Sequence, residues 1–145
     1  MPLIKHPKRR GEWVELLFMA RAAAHGLNVS KPWGDSLPYD FALEHNGIFV
    51  RVQVKSTTCA DPRGYVCSTY RLVRHGRKVR PRKYKRSEVD FFAFYIVPED
   101  VWYIIPAGEV VHSCSHILLN PRRPNNKYFP FLEAWHLLTG RRSPA

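Results

Sequence analysis

Residues 38–55 read Pro38-Tyr39-Asp40-Phe41-Ala42-Leu43-Glu44-His45-Asn46-Gly47-Ile48-Phe49-Val50-Arg51-Val52-Gln53-Val54-Lys55, and the reading of this stretch decides the fold. His45-Asn46-Gly47 is a tight-turn signal between two β-prone runs, so the segment predicts a hairpin with strands near 38–44 and 48–55. In the second strand alternate side chains face opposite ways. Ile48, Val50, Val52 and Val54 share one face; Phe49, Arg51, Gln53 and Lys55 share the other. Gln53 and Lys55 then stand about 6.6 Å apart along the strand, opposite an Asp on the neighbouring strand. Taken alone, such a pattern also describes a half-buried edge hairpin with a solvated polar face.

Upstream, Gly11 to Gly26 has the composition of a helix with a glycine stop. The run is apolar nearly all round, which predicts burial within the domain. A glutamate inside such a helix is costly without a partner. Glu15 is that residue, and a metal site is a natural partner. Glu12, three residues earlier, is the competitor; it also fits a first-turn carboxylate facing the helix dipole.

The order Glu15, Asp40, Gln53, Lys55 resembles the active-site arrangement of PD-(D/E)xK nucleases, in which an acidic residue on the first helix completes the metal shell. Gly26–Gly34 is similar to the strand and loop before the catalytic Asp. Glu88–Tyr95 and Val101–Pro106 resemble the closing strands of a bacterial PD-(D/Q)xK branch that includes a group I intron homing endonuclease. The likeness spans residues 8 to 110. Glu15 sits four after Gly11, the spacing seen in that family. Gln53 stands where most relatives have Asp or Glu, so a neutral ligand leaves less charge to hold the ion.

The resemblance implies an α/β fold in one domain over residues 1–145, with a mixed central sheet flanked by helices. It implies Mg²⁺, with Mn²⁺ as a substitute, held by Glu15, Asp40 and Gln53. Oxygen ligands suit this hard cation, which polarises the phosphoryl oxygen and activates water. Lys55 would stabilise the charge that develops on the phosphate.

Charge names the partner. Lys and Arg outnumber Asp and Glu by 23 to 12, for a net charge of +11. No acidic residue lies between Asp61 and Glu88, whereas Arg71, Arg74, Arg77, Lys78, Arg80, Arg82, Lys83, Lys85 and Arg86 all do, interleaved with Tyr70 and Tyr84. Lys8, Arg9 and Arg10 form a second cluster leading into the helix. Such clusters release counterions from phosphates, and arginine suits bidentate contact with phosphate and guanine. These twelve residues are the candidate DNA-binding set; a solvated loop without a ligand is the plain alternative.

Composition excludes several classes. A 45% hydrophobic content argues against disorder. No run approaches a membrane span, and the charges of the first helix exclude a signal-peptide core. Cys59, Cys67 and Cys114 lack CxxC spacing and read as reduced thiols in a cytoplasmic protein. His112-Ser113-Cys114-Ser115-His116 has no second ligand pair to complete a zinc site. Nothing resembles an RNA-binding RRM or KH motif.

Further along, strands are expected near 27–31, 65–73, 89–97 and 101–105. Residues 74–87 read as a basic connection, with turn chemistry at Gly76 and Pro81. A short helix begins at Ala107, a loop spans 120–130, and a short helix from Phe131 to Thr139 is closed by Gly140.

Three functions are compatible with these features. The first is a metal-dependent, site-specific endonuclease on double-stranded DNA. The second is a structure-specific nuclease on branched DNA, like a Holliday junction resolvase. The third is a catalytically silent DNA-binding module. Cutting both strands calls for two sites or two binding events; a symmetric oligomer supplies the second site, so a homo-oligomer is expected, and the resemblance extends this from dimer to tetramer. The apolar runs Phe91–Tyr95 and Val101–Ile105 are candidates for its interface.

Overall fold

The computed structural model describes residues 2–113 and 115–140. In chain order it comprises α1 (Pro7–Ala24), β1 (Asn28–Ser30), β2 (Phe41–His45), β3 (Ile48–Thr57), β4 (Ala60–Asp61), β5 (Gly64–Ser68), β6 (Tyr70–His75), β7 (Lys78–Lys83), β8 (Phe91–Ile96), β9 (Val101–Pro106) and β10 (His116–Leu119). Short 3-10 turns follow β8 and β9 and close the C-terminal part. The main sheet has the order β1-β2-β3-β8-β9 and is mixed, since β3 runs parallel to β8 while the other neighbours are antiparallel. This is the α/β architecture expected, with a mixed central sheet.

The hairpin forms as its turn residues dictate. Asn46 (φ 51°) and Gly47 (φ 79°) both occupy the left-handed region, as the two central residues of a type I′ turn require. The Gly47 N–H also donates to Glu44 Oε1 at 2.6 Å. The register pairs Phe41 with Val52 and His45 with Ile48. The ladder continues beyond β2, because the Asp40 N–H donates to the Val52 carbonyl at 2.9 Å.

Helix α1 starts at Pro7, earlier than the expected Gly11, with proline in its first turn where its missing N–H costs nothing. It ends in a paired-bond cap: Gly26 N–H donates to Ala23 O at 3.0 Å and Leu27 N–H to Ala22 O at 3.1 Å. Gly26 supplies the positive φ that this cap needs. The helix is not buried all round. Val14, Phe18 and Ala22 form one buried stripe at four-residue spacing, while Leu16 is 61% exposed. Phe18 stacks on Phe41 and Trp135, with ring centroids 5.2 and 5.6 Å away. This packing seats α1 on the Val52/Val54 face of the sheet.

The opposite face is covered by a second core around Tyr84, Phe92, Phe94, Tyr103 and Ile105, closed by the sheet β10-β5-β4. Strands β8 and β9 lie between the two cores. Phe92 to Ile96 and Trp102 to Ile105 are buried, so the side chains of these apolar runs belong to the two cores, with β8 an inner strand and β9 the edge of the main sheet.

Three other expectations are corrected. The strand expected at 65–73 is two strands, β5 and β6, interrupted at Thr69. The basic connection 74–87 is largely a second hairpin, β6–β7, paired from Tyr70–Lys83 to His75–Lys78. The helix expected from Phe131 to Thr139 is two separate 3-10 turns, Phe129–Phe131 and Trp135–Thr139, although Gly140 closes the second with φ 69° as foreseen. Among the described residues, no helix is long and apolar enough to cross a membrane.

Candidate active site

Three elements converge on one cleft. Its volume is about 420 Å³, and Lys8, Glu12, Glu15, Lys31, Asp35 and Asp40 are among its lining residues. Glu15 comes from α1, beside the buried stripe and next to Val14. Asp40 enters at the start of β2. Its Oδ2 accepts the Val54 N–H at 2.9 Å, which fixes the carboxylate against β3. Burial pushes the Asp40 carboxyl up to about 6; the Val54 hydrogen bond opposes that, and the Glu15 charge raises it further. Two carboxylates thus share a poorly solvated cleft.

Gln53 and Lys55 stand on one side of β3, as alternation requires. Continuing the β2–β3 register by one step places Asp40 opposite Gln53. The Gln53 Nε2 donates to the Val54 carbonyl at 3.3 Å. Lys55 is half-buried, with its ammonium 5.2 Å from the Tyr84 ring centroid and donating to the Tyr70 carbonyl at 2.8 Å. Burial lowers its pKa to about 8; Asp40 opposes the shift, and Arg71 adds to it. Asp40 and Lys55 are therefore electrostatically coupled, while Gln53 does not line the cleft shared by Glu15 and Asp40.

Glu12 and Glu15 both line the cleft. Glu12 is exposed and lies in the second turn of a helix that has no acidic residue in its first turn. Its expected role as a dipole-facing first-turn carboxylate is therefore not met. Lys8, Arg9 and Arg10 occupy that first turn instead, where cations oppose the helix dipole.

The basic residues between Arg71 and Arg86 are organised by the β6–β7 pairing. Arg71 pairs with Arg82, Val73 with Arg80 and His75 with Lys78, so these residues share one face of the ribbon. Tyr70, Leu72, Arg74, Val79, Pro81 and Lys83 share the other. Arg77 sits in the turn between the strands. Beyond the ribbon, Glu88 anchors the chain: it pairs with Arg82 at 3.3 Å and accepts the Lys85 N–H at 3.0 Å. Arg86 lies against Gly108.

Lys31 is the site residue that sequence reasoning missed. Its Nζ lies 2.6 Å from Glu15 Oε2, and its charge acts on Asp40 as well. A lone lysine after a short strand carries no sequence signal for this role. Trp33, on the same loop, is wholly exposed.

Among the described residues, no group of three or more His, Cys, Asp or Glu has metal-holding geometry; the candidate donor set is two carboxylates and one amide. Cys59 and Cys67 are free thiols, Cys67 buried and Cys59 exposed. Cys114 lies outside the described residues, and with it the centre of the His112–His116 motif.

Comparison with known proteins bears on the fold and the family. No curated protein matches the chain. A solved structure titled as that of a bacterial homing endonuclease, I-Ssp6803I, superposes with a TM-score of 0.81 at 28% identity, covering 94% of this chain and 95% of that one. The family description PD-(D/E)XK endonuclease matches residues 5–138. Because that match takes in the helix, the hairpin and every strand of the central sheet, this chain belongs to the PD-(D/E)XK endonuclease family.

Proposed function

We propose that the protein is a divalent-metal-dependent endonuclease that cuts double-stranded DNA at specific sites, in the manner of a homing endonuclease. The observation that carries the metal reading is the buried Asp40 carboxyl, pushed up to about 6 beside Glu15 in one cleft. A buried carboxylate with a second one lining the same cleft suits a dication, and hard oxygen donors with few protein ligands suit Mg²⁺, with Mn²⁺ as substitute. Glu15, Asp40 and the amide oxygen of Gln53 are the residues that would hold it. When bound, such an ion polarises the phosphoryl oxygen and lowers the pKa of its water.

The protein's own groups do the rest. Asp40 is oriented by the Val54 N–H, and its position does not depend on a flexible side chain. Lys55 presents a partly desolvated ammonium, worth more to a developing phosphorane charge than one in water. Arg71 couples to Lys55, so the basic face of the ribbon runs into the reactive strand. A two-stranded ribbon fits the major groove of a duplex, where arginine reads guanine; this favours duplex DNA over a branched substrate. Lys8, Arg9 and Arg10 at the start of α1 lack a favourable dipole environment, which phosphates would supply.

Cutting both strands takes two copies of the site or two binding events; a symmetric homo-oligomer, a dimer or a tetramer, supplies the second copy and is the working unit of this reading. The reading is tested by incubating a random plasmid pool with the protein in Mg²⁺ or in chelator. Linearisation at discrete positions, dependent on Mg²⁺ and lost in Asp40→Asn, is the expected result. Preferential cutting of a four-way junction would move the substrate to branched DNA, and binding with no cutting in any metal would leave a silent DNA-binding module.

A further inference from the structure

The cleft already holds a cation of its own. Lys31 is the first residue after β1, and continuing the β1–β2 register beyond Ser30–Ala42 sets it opposite Phe41, next to Asp40. Its ammonium lies 4.9 Å from the Phe41 ring centroid and 2.6 Å from Glu15 Oε2. Phe41 is fully buried and packed under Phe18, so one support of this ammonium is rigid. The ion pair and the ring contact together hold a positive charge on Glu15, near enough to Asp40 for its charge to act there too.

We propose that Lys31 is the resident counter-ion of the site, pairing with Glu15 and offsetting part of the charge on Asp40 in the metal-free protein, and competing with the divalent ion for Glu15. This rests on the reading of Glu15 and Asp40 as metal ligands. The Glu15 oxygen that accepts from an ammonium at 2.6 Å cannot offer the same lone pair to a dication. An ammonium and a dication at the same carboxylates also repel each other. Metal entry at Glu15 therefore weakens the Lys31–Glu15 pair, through competition for the carboxylate charge and repulsion between the two cations, and the free energy lost from that pair is subtracted from metal affinity. Once displaced, Lys31 keeps its charge on a flexible stem at the cleft mouth, where its side chain is already 51% exposed. The device lets an unloaded site fold without two bare carboxylates facing each other.

The test is a calorimetric titration of Mg²⁺ and of Mn²⁺ into the DNA-free protein, comparing wild type with Lys31→Met and Lys31→Gln. Both variants should bind metal about twofold to fivefold more tightly, the range set by the modest strength of a half-exposed ion pair. Lys31→Arg, which keeps the cation, should stay near wild type. Lys8→Met removes an equal charge from the same cleft without freeing Glu15 and should change affinity less than Lys31→Met. In chelator, Lys31→Met should melt at a lower temperature than wild type, and added metal should recover more of its stability.

Equal or weaker metal binding in both Lys31 variants, with Asp40→Asn abolishing binding to wild type, would overturn the counter-ion role and leave the metal site standing. Equal gains from Lys31→Met and Lys8→Met would reduce the effect to bulk charge and overturn it too. Absence of metal binding in wild type and in every variant would overturn the metal site and this inference together.

Discussion

The Lys55 ammonium donates to the backbone carbonyl of Tyr70 at 2.8 Å, so the lysine placed for chemistry is tied to the first residue of the basic ribbon. The bond helps a long side chain keep one position in a half-buried site, where the ammonium also lies over the Tyr84 ring. It also means that the ribbon and β3 share a fixed point, so on the proposed function DNA lying along the ribbon would be positioned relative to Lys55.

Lys55→Ala should lose cleavage by about a hundredfold or more, the scale seen when one stabiliser of transition-state charge is removed. DNA affinity should change little, because it is spread over many phosphate contacts. Single-turnover cleavage alongside a binding isotherm checks both. Wild-type-like cleavage in the variant would remove Lys55 from the mechanism.

Asp40 should make the metal-free protein less stable as pH rises. Its folded pKa, about 6, is above the ordinary 3.8, so the folded state binds the proton more tightly than the unfolded chain. The stability this gives is fully present below about pH 4 and is lost as pH climbs through 6. Asp40→Asn carries no such loss. Denaturant melts in chelator should show the variant gaining on wild type between pH 4 and pH 7, and a constant difference across that range would argue against burial as the cause.

Glu15→Gln should abolish tight metal binding and cleavage, whereas Glu12→Gln should do neither. Glu12 is exposed on the second turn of α1, where a neutral isostere changes stability by no more than about 0.5 kcal/mol. A cleavage assay that ranks the two in the opposite order would move the acidic ligand one turn toward the helix start.

Gln53→Glu adds a charged oxygen donor at the position opposite Asp40 and should tighten Mg²⁺ binding. The rate need not rise with it, since the added carboxylate changes how the ion is shared. Weaker Mg²⁺ binding by calorimetry would count against Gln53 as a ligand.

The two faces of the ribbon should separate in a salt titration. Arg80→Ala, on the face shared with Arg71 and Arg82, should weaken DNA binding and lower the salt slope by about 1, the signature of one lost phosphate contact. Arg74→Ala, an equal loss of charge on the opposite face, should change the slope less. Equal changes in both variants would show that DNA does not favour the Arg71–Arg80–Arg82 face.

The order Glu15, Asp40, Gln53, Lys55 and the hairpin that carries its last three members were legible from sequence, because they rest on local rules. Asn46-Gly47 is suited to left-handed backbone angles, alternation puts Gln53 and Lys55 on one side, and Gly26 stops the helix. The β6–β7 ribbon was hidden for a physical reason. Its β7 strand is exposed throughout, so no buried face imposed an apolar alternation, and its pairing is carried by the backbone ladder and the His75-Gly76-Arg77 turn. The burial of Phe91–Tyr95 and Val101–Ile105 was likewise decided by position, since an apolar run reads the same whether it is a central strand or an interface. The chain by itself determined which candidate groups the first helix and the hairpin carry. Only the tertiary structure set Lys31 against Glu15, raised Asp40 by burial and bound Lys55 to Tyr70, because those effects depend on distance and desolvation between elements far apart in sequence.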